Sequence, residues 1–262
     1  MRILITGAGR AIGRATAEHL TSLGHEVVAT ARNVELLEGL DVASKLSLDV
    51  TSEQSIVDCL EAAGSLDAIV NNAALPGHGP LENVPLDHVR AMFETNTFGP
   101  LRILQQVLPA WRTRGSGVVV NVSSIQGRVA VPLDGAYAAS KFALEAFTET
   151  LHYEISHFGL RVVLIEPGYT APGMKQIPAF EFDPVYDELV AQWDGADGKV
   201  TGDGGRPPAS SVAEAIAAAI VDPTTPLRVP VGPDANLILP MRSQLDDQSF
   251  EATMRSVLGL TW

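Results

Sequence analysis

The chain has 262 residues, 46% of them hydrophobic, with 23 glycines and 17 prolines, which is enough apolar material for one sizeable core and a single domain, 1–262. Its 18 basic residues against 31 acidic ones leave a net charge of −13, which argues against nucleic-acid or anionic-membrane partners, since these attract clustered lysine and arginine. One cysteine, Cys59, rules out an intrachain disulfide, and with no leader-like start and no run of about 18 apolar residues the expectation is a cytoplasmic protein without a membrane span.

In chain order, short β-branched apolar runs alternate with longer helical patterns, without an internal repeat. RILIT (2–6) leads into Gly7, Gly9 and Gly13 and a helical stretch. EVVATA (26–31), KLSLD (45–49), LDAIVN (66–71) and GVVVNVS (117–123) follow, then RVVLIE (161–166) and LRVPV (227–231), with large helices at about 87–113 and 136–158. Most of these strands are apolar on both faces and need helices above and below. The expectation is therefore an α/β protein with a doubly wound parallel sheet of about seven strands, Rossmann-type. Between Tyr169 and Ser210 the pattern dissolves into Pro- and Gly-rich sequence that still carries Phe180, Phe182, Tyr186 and Trp193. A loop of that length is usually functional or disordered, and its aromatics argue against disorder, so 171–210 reads as a substrate lid within the domain.

A strand ending at Thr6, then Gly7, Gly9 and Gly13, then a helix, turns bare N–H groups and a helix N-terminus toward a ligand. A dinucleotide pyrophosphate fits, although the common G-x-G-x-x-G fingerprint would place glycine where Ile12 stands. Asn71 to Ala74, Asn121 to Ser124, and Glu166 to Gly168 stand at the carboxyl ends of later strands, and so at the same mouth. Downstream, AYAASK sets Tyr137 and Lys141 four apart on one helix face. An ammonium beside a phenol favours the phenolate, so Tyr137 is expected to titrate below its usual range and to serve as a proton donor to a carbonyl. Cys59 reads as buried filler. His78, His88, His152 and His157 show no ligand-like clustering with carboxylates, and no metal is expected.

Taken together and in this order, Thr6 to Gly13, NNAA, NTFG, NVSS, YAASK and EPG resemble the short-chain dehydrogenase/reductase family over residues 1 to about 170, most closely its hydroxysteroid and retinol dehydrogenase-like branch. The resemblance implies that Ser124 polarises a substrate carbonyl, that Tyr137 exchanges the proton, and that Lys141 holds the nicotinamide ribose. It also implies that Asn96 holds a relay water; the alternative is a polar residue easing a kink before Gly99-Pro100. Cofactor contacts are implied for Gly7, Gly9, Arg10, Ile12, Gly13, Asp49, Val50, Asn72, Ala73, Tyr137, Lys141, Pro167, Gly168 and Thr170. NAD enzymes of this architecture end the second strand in an acid, whereas this chain has Ala31 and then Arg32. Arg32 and Arg10 suit a 2′-phosphate, so the cofactor expected is NADP(H).

Three residues depart from the family pattern. Ala11 stands for the second glycine, Ala74 for the last glycine of NNAG, and Pro172 for a threonine, with Thr170 the nearest hydroxyl. Met174, Ile177, Phe180, Phe182 and Trp193 either wall a large apolar substrate or only anchor the lid. The function expected is a ketone or aldehyde interconverted with an alcohol, on a small-molecule substrate and in a homodimer or homotetramer implied by the resemblance. The rivals are a non-catalytic NADP(H)-binding regulatory protein, and a lyase or epimerase that oxidises its substrate transiently.

Overall fold

The computed structural model describes residues 1–174 and 181–262. Among them, seven strands form one all-parallel sheet in the order β3-β2-β1-β4-β5-β6-β7. The strands are β1 (Arg2–Ile5), β2 (Glu26–Ala31), β3 (Ser44–Ser47), β4 (Ala68–Asn71), β5 (Gly117–Val122), β6 (Leu160–Pro167) and β7 (Arg228–Val231). The first five helices are α1 (Ala11–Ser22), α2 (Glu53–Ala63), α3 (Leu86–Phe93), α4 (Gly99–Arg114) and α5 (Gly135–Ile155). Nearer the C-terminus come α6 (Asp187–Trp193), α7 (Ala196–Thr201), α8 (Ala209–Val221), α9 (Pro233–Gln244) and α10 (Asp247–Leu258).

Strand alternation divides the interior in two. Ile3, Ile5, Val70, Val120 and Ile165 face one way, onto Leu20 of α1 and Ile216 and Ile220 of α8. Leu4, Ile69, Val119 and Val162 face the other way, onto Ile56 and Cys59 of α2 and Ile103, Val107 and Trp111 of α4. This is the doubly wound sheet the sequence predicts. Cys59 is buried filler, its thiol pushed up to about 11 by burial.

Three features differ from the sequence reading. The helix expected over about 87–113 is interrupted by a π turn at Glu94–Phe98, between α3 and α4. The stretch 171–210 is not a plain loop: it contains α6 and α7. Residues 233–258, which the sequence reading assigns to no element, form α9 and α10; Pro240 and a nearly even spread of apolar residues hide any stripe in α9, whereas α10 buries Phe250, Met254 and Leu258 along one face. These helices build a third core over the carboxyl edge of the sheet, in which Trp193, Val200, Ile238, Phe250 and Met254 pack on Ile125, Val129 and Leu133.

Candidate active site

A cleft of about 520 Å³ opens along the carboxyl ends of β1, β2, β4, β5 and β6, at the point where the strand order reverses between β1 and β4. At one end the wall is main chain. Gly7, at φ +67°, lies so close to β4 that a Cβ would meet Ala73 Cα at 3.0 Å. A Cβ at Gly9 would meet that of Leu36 at 2.7 Å, so both glycines keep the loop free of side chains. Thr6 fastens the turn, since its hydroxyl oxygen accepts the N–H groups of Asn72 and Ala73, both at 2.9 Å. The Asn72 amide in turn donates to the carbonyls of Thr6 (2.9 Å) and Gly7 (3.1 Å). Ala11 enters α1 at φ +44°, a left-handed conformation that costs a residue with a Cβ about 1–2 kcal/mol.

Gly7, Gly9, Arg10, Ile12, Arg32, Asp49, Val50, Asn72, Ala73, Pro167, Gly168 and Thr170 all line the cleft, as do Ser124, Tyr137 and Lys141. Gly13 does not. A Cβ there would fall 2.3 Å from the Gly7 carbonyl oxygen, so this glycine serves close packing of α1 on the loop. Arg10 and Arg32 are exposed, and neither guanidinium has a hydrogen bond or ion pair among the described residues. Ala31 ends β2 without an acid. Asp49 spends one oxygen on its own turn, accepting from the Thr51 N–H (2.9 Å) and hydroxyl (2.8 Å). Thr170 donates to the Gly168 carbonyl at 3.3 Å.

Asn71 and Asn121 stand at the strand ends but miss the mouth. Each lies two residues beyond an inward apolar residue of the second core, and both point toward α5. Asn71 donates to Asn121 and Asn121 to the Thr148 hydroxyl, each at 2.8 Å.

At the middle of the cleft, α5 brings Tyr137 within hydrogen-bonding reach of Ser124. The Ser124 oxygen accepts the Gln126 N–H at 3.1 Å, which fixes its loop. Lys141 donates to the Val122 carbonyl at 2.8 Å and lies 5.7 Å from the Tyr137 ring centroid. Asn96, inside the π turn, is not among the lining residues. Its oxygen accepts the Leu75 N–H (2.7 Å), and its amide donates to the Leu75 carbonyl (2.9 Å) and the Ser140 hydroxyl (3.0 Å).

A family model described as short chain dehydrogenase matches residues 1–178, across all of these elements. The chain belongs to the short-chain dehydrogenases. An uncharacterized oxidoreductase of Schizosaccharomyces pombe is 32% identical over 87% of this chain and 98% of its own length. Human retinol dehydrogenase 8 is 37% identical over 63% of this chain and 58% of its own. Among solved structures, a short chain dehydrogenase from Burkholderia cenocepacia in complex with NADP superposes with a TM-score of 0.79 at 25% identity, covering 97% of this chain and 96% of that one. An NAD+-bound xylitol dehydrogenase superposes with a TM-score of 0.74 at 27% identity, covering 88% and 97%. This dehydrogenase is thus an oxidoreductase of a nicotinamide-using family with retinol dehydrogenase-like relatives.

The electrostatics of this dehydrogenase reverse one expectation. Tyr137 is held above the ordinary phenol range, not below it, because burial outweighs the Ser124 hydrogen bond that favours the phenolate and the nearby Asp134 charge pushes the same way as burial. Lys141 is turned onto the Val122 carbonyl, and burial lowers it to about 8, with Glu145 opposing. His78 pairs with a single carboxylate. Its Nδ1 lies 3.5 Å from Asp134, whose hydrogen bond raises the imidazole, and the other Asp134 oxygen accepts the Gln126 amide at 3.0 Å.

Beyond Tyr137 much of the wall is apolar side chain, from Val131, Trp193, Val200, Ile238, Met254 and Leu258, with Tyr169 and Arg206 also in the lining. Of the lid residues named from sequence, Met174 and Trp193 line the cleft, whereas Phe182 packs its ring at a tilt against His78, with ring centroids 6.0 Å apart. Ile177 and Phe180 lie outside the described residues. Sequence reasoning missed Gln126, Asp134, Ile238, Met254 and Leu258. Asp134, three residues before Tyr137, had a signal in its position; the others had none.

Proposed function

We propose that this dehydrogenase is NADP(H)-dependent and interconverts an apolar ketone or aldehyde with its alcohol. The observation that carries this reading is the convergence of Ser124, Tyr137 and Lys141 at the middle of one cleft, with an apolar chamber on one side and two unpaired arginines on the other. A nicotinamide cofactor held in the cleft would supply or accept the hydride. The uncovered main chain from Gly7 to Ile12 and the α1 N-terminus would hold the pyrophosphate, and Arg32 and Arg10 the 2′-phosphate. Asp49 and Val50 would flank the adenine, and Lys141 and Tyr137 the nicotinamide ribose. Asn72 and Ala73, Pro167, Gly168 and Thr170 would line the nicotinamide side.

Ser124 orients the carbonyl oxygen toward Tyr137, which stays a neutral phenol at pH 7 and so donates a proton to the forming alkoxide. Lys141, as an ammonium, stabilises the phenolate left behind. Asn96 acts as a positioning residue, because its amide is spent on Leu75 and Ser140. Cofactor preference is supported by the missing acid after β2 and by the relative in complex with NADP.

NADPH consumption against ketones and aldehydes from small aliphatic to steroid-sized, with NADH alongside, tests the reading. Turnover preferring NADPH and bulky apolar carbonyls is expected, and NADPH binding without turnover would favour a regulatory protein. We also propose a cytoplasmic homo-oligomer assembled through α4 and α5, where Phe142, Phe147 and Tyr153 are 44%, 43% and 75% exposed. Light scattering that returns a monomer would remove that part.

A further inference from the structure

Behind the Ser123–Ser124 loop lies a buried ion cluster that the proposed chemistry leaves unused. Glu145 of α5 and Glu166 of β6 are 5% and 1% exposed. Arg228 of β7 bonds Glu145 at 2.9 Å and Glu149 at 2.5 Å and stands 3.7 Å from Glu166, which Arg128 bonds at 3.3 Å. Gly127 admits this packing, since a Cβ there would meet Ser123 Oγ at 2.7 Å and Glu145 Cγ at 2.8 Å. One oxygen of Glu145 and the Ser123 hydroxyl have no hydrogen-bond partner. A carboxylate this deep is costly unless it is paired, so the two acids must serve their neighbours.

Glu145 lies one turn beyond Lys141 on the buried face of α5, in the spacing that brings side chains together. The groups facing this region are Tyr137, Lys141, Glu145 and Glu149 from α5, Asp134 ahead of it, Arg128 after β5, Glu166 from β6 and Arg228 from β7. Glu145, Glu149 and Glu166 thus stand with Arg128, Arg228 and Lys141 at the inner end, while Asp134 lies at the other side of Tyr137, paired with His78. Burial and the Glu145 charge push Glu166 up to about 7, so the full negative charge is present only above that pH. Glu145 is also the charge that opposes the desolvation of Lys141.

We propose that Glu145 is a positioning residue of the active site: anchored by Arg228, its carboxylate keeps Lys141 a cation beside Tyr137. The kinetic part rests on the function proposed above. Lys141 itself can be followed without turnover by NMR of 13Cε-labelled lysine in the unliganded protein, with the four lysines of the chain resolved by a Lys141→Arg reference. In Glu145→Gln the Lys141 midpoint is expected to fall by about one unit. In Glu149→Gln, which removes a half-exposed partner of the same arginine, it is expected to stay in place. The alkaline limb of kcat/KM for NADPH-dependent reduction is expected to move with the midpoint.

An unmoved midpoint in a folded Glu145→Gln protein, or an equal fall in Glu149→Gln, overturns the proposal. If Glu145→Gln does not fold, Glu145→Asp, with its charge drawn back by one methylene, should show a smaller fall, and none there overturns the proposal equally. A wild-type protein that reduces no carbonyl sinks the functional reading alone, because the NMR titration still decides the role of Glu145.

Discussion

Around the glycine loop the cleft is walled by main chain pinned by Thr6 and Asn72, whereas beyond Tyr137 it is walled by side chains of α6, α7, α9 and α10. The first wall hangs from the strands of the sheet, and the second from a separate core that touches the sheet only at its carboxyl edge. A wall of backbone recognises a ligand common to many reactions, since any sequence of suitable shape supplies the same N–H groups. A wall of side chains recognises one substrate, and each residue can change without disturbing the loop. The two halves should therefore respond separately to substitution.

The largest effect falls at their junction. Tyr137→Phe removes only the hydroxyl and is expected to lower kcat about 10³-fold while NADPH affinity, read by fluorescence titration, stays close to wild type. A loss of affinity as large as the loss of kcat would mean that the Tyr137 hydroxyl serves mainly to hold the ribose and not to move the proton. On the main-chain side, Arg32→Glu places an acid where a 2′-phosphate would lie. The KM for NADPH should rise about 100-fold, with the ranking of ketones unchanged. On the other side, Met254→Ala should cost about tenfold in kcat/KM for bulky apolar ketones and little for small ones, with the KM for NADPH unmoved. If either variant shifts both rankings, the halves are coupled and the comparison fails.

The smallest effect concerns Ala11. Relieving its left-handed backbone in Ala11→Gly is expected to raise unfolding stability by about 0.5–1 kcal/mol in urea denaturation. No gain would mean that the helix entrance relaxes in solution.

The same division governs what could be read from sequence. The glycine loop and the strands β1 to β7 follow from local signals, β-branched runs and bare backbone, and these were legible. Even the inward turn of Asn71 and Asn121 was written in the alternation, two residues beyond Ile69 and Val119. The third core was not legible, because α9 has no clear stripe, α6 and α7 are short, and even the Phe250, Met254 and Leu258 stripe of α10 finds its partners only once the sheet exists. His78 and Asp134 are likewise joined by the fold and not by spacing. The titration of Tyr137 was read in the wrong direction because sequence spacing reports the neighbouring lysine and not the depth of burial. The π turn around Asn96 has no local signature, although its polar residue before Gly99-Pro100 was noticed.

The Asn72 amide spans the gap between the exit of β4 and the turn after β1, holding two carbonyls of the turn at once. Neither segment can open alone without breaking that clasp, so the two should fluctuate as one cooperative unit. Deuterium uptake at Ala8 and Ala73 should then follow a common opening rate, and Asn72→Ala should let the two rates diverge. A pocket floor that opens only as a whole would admit and release its nucleotide in one step.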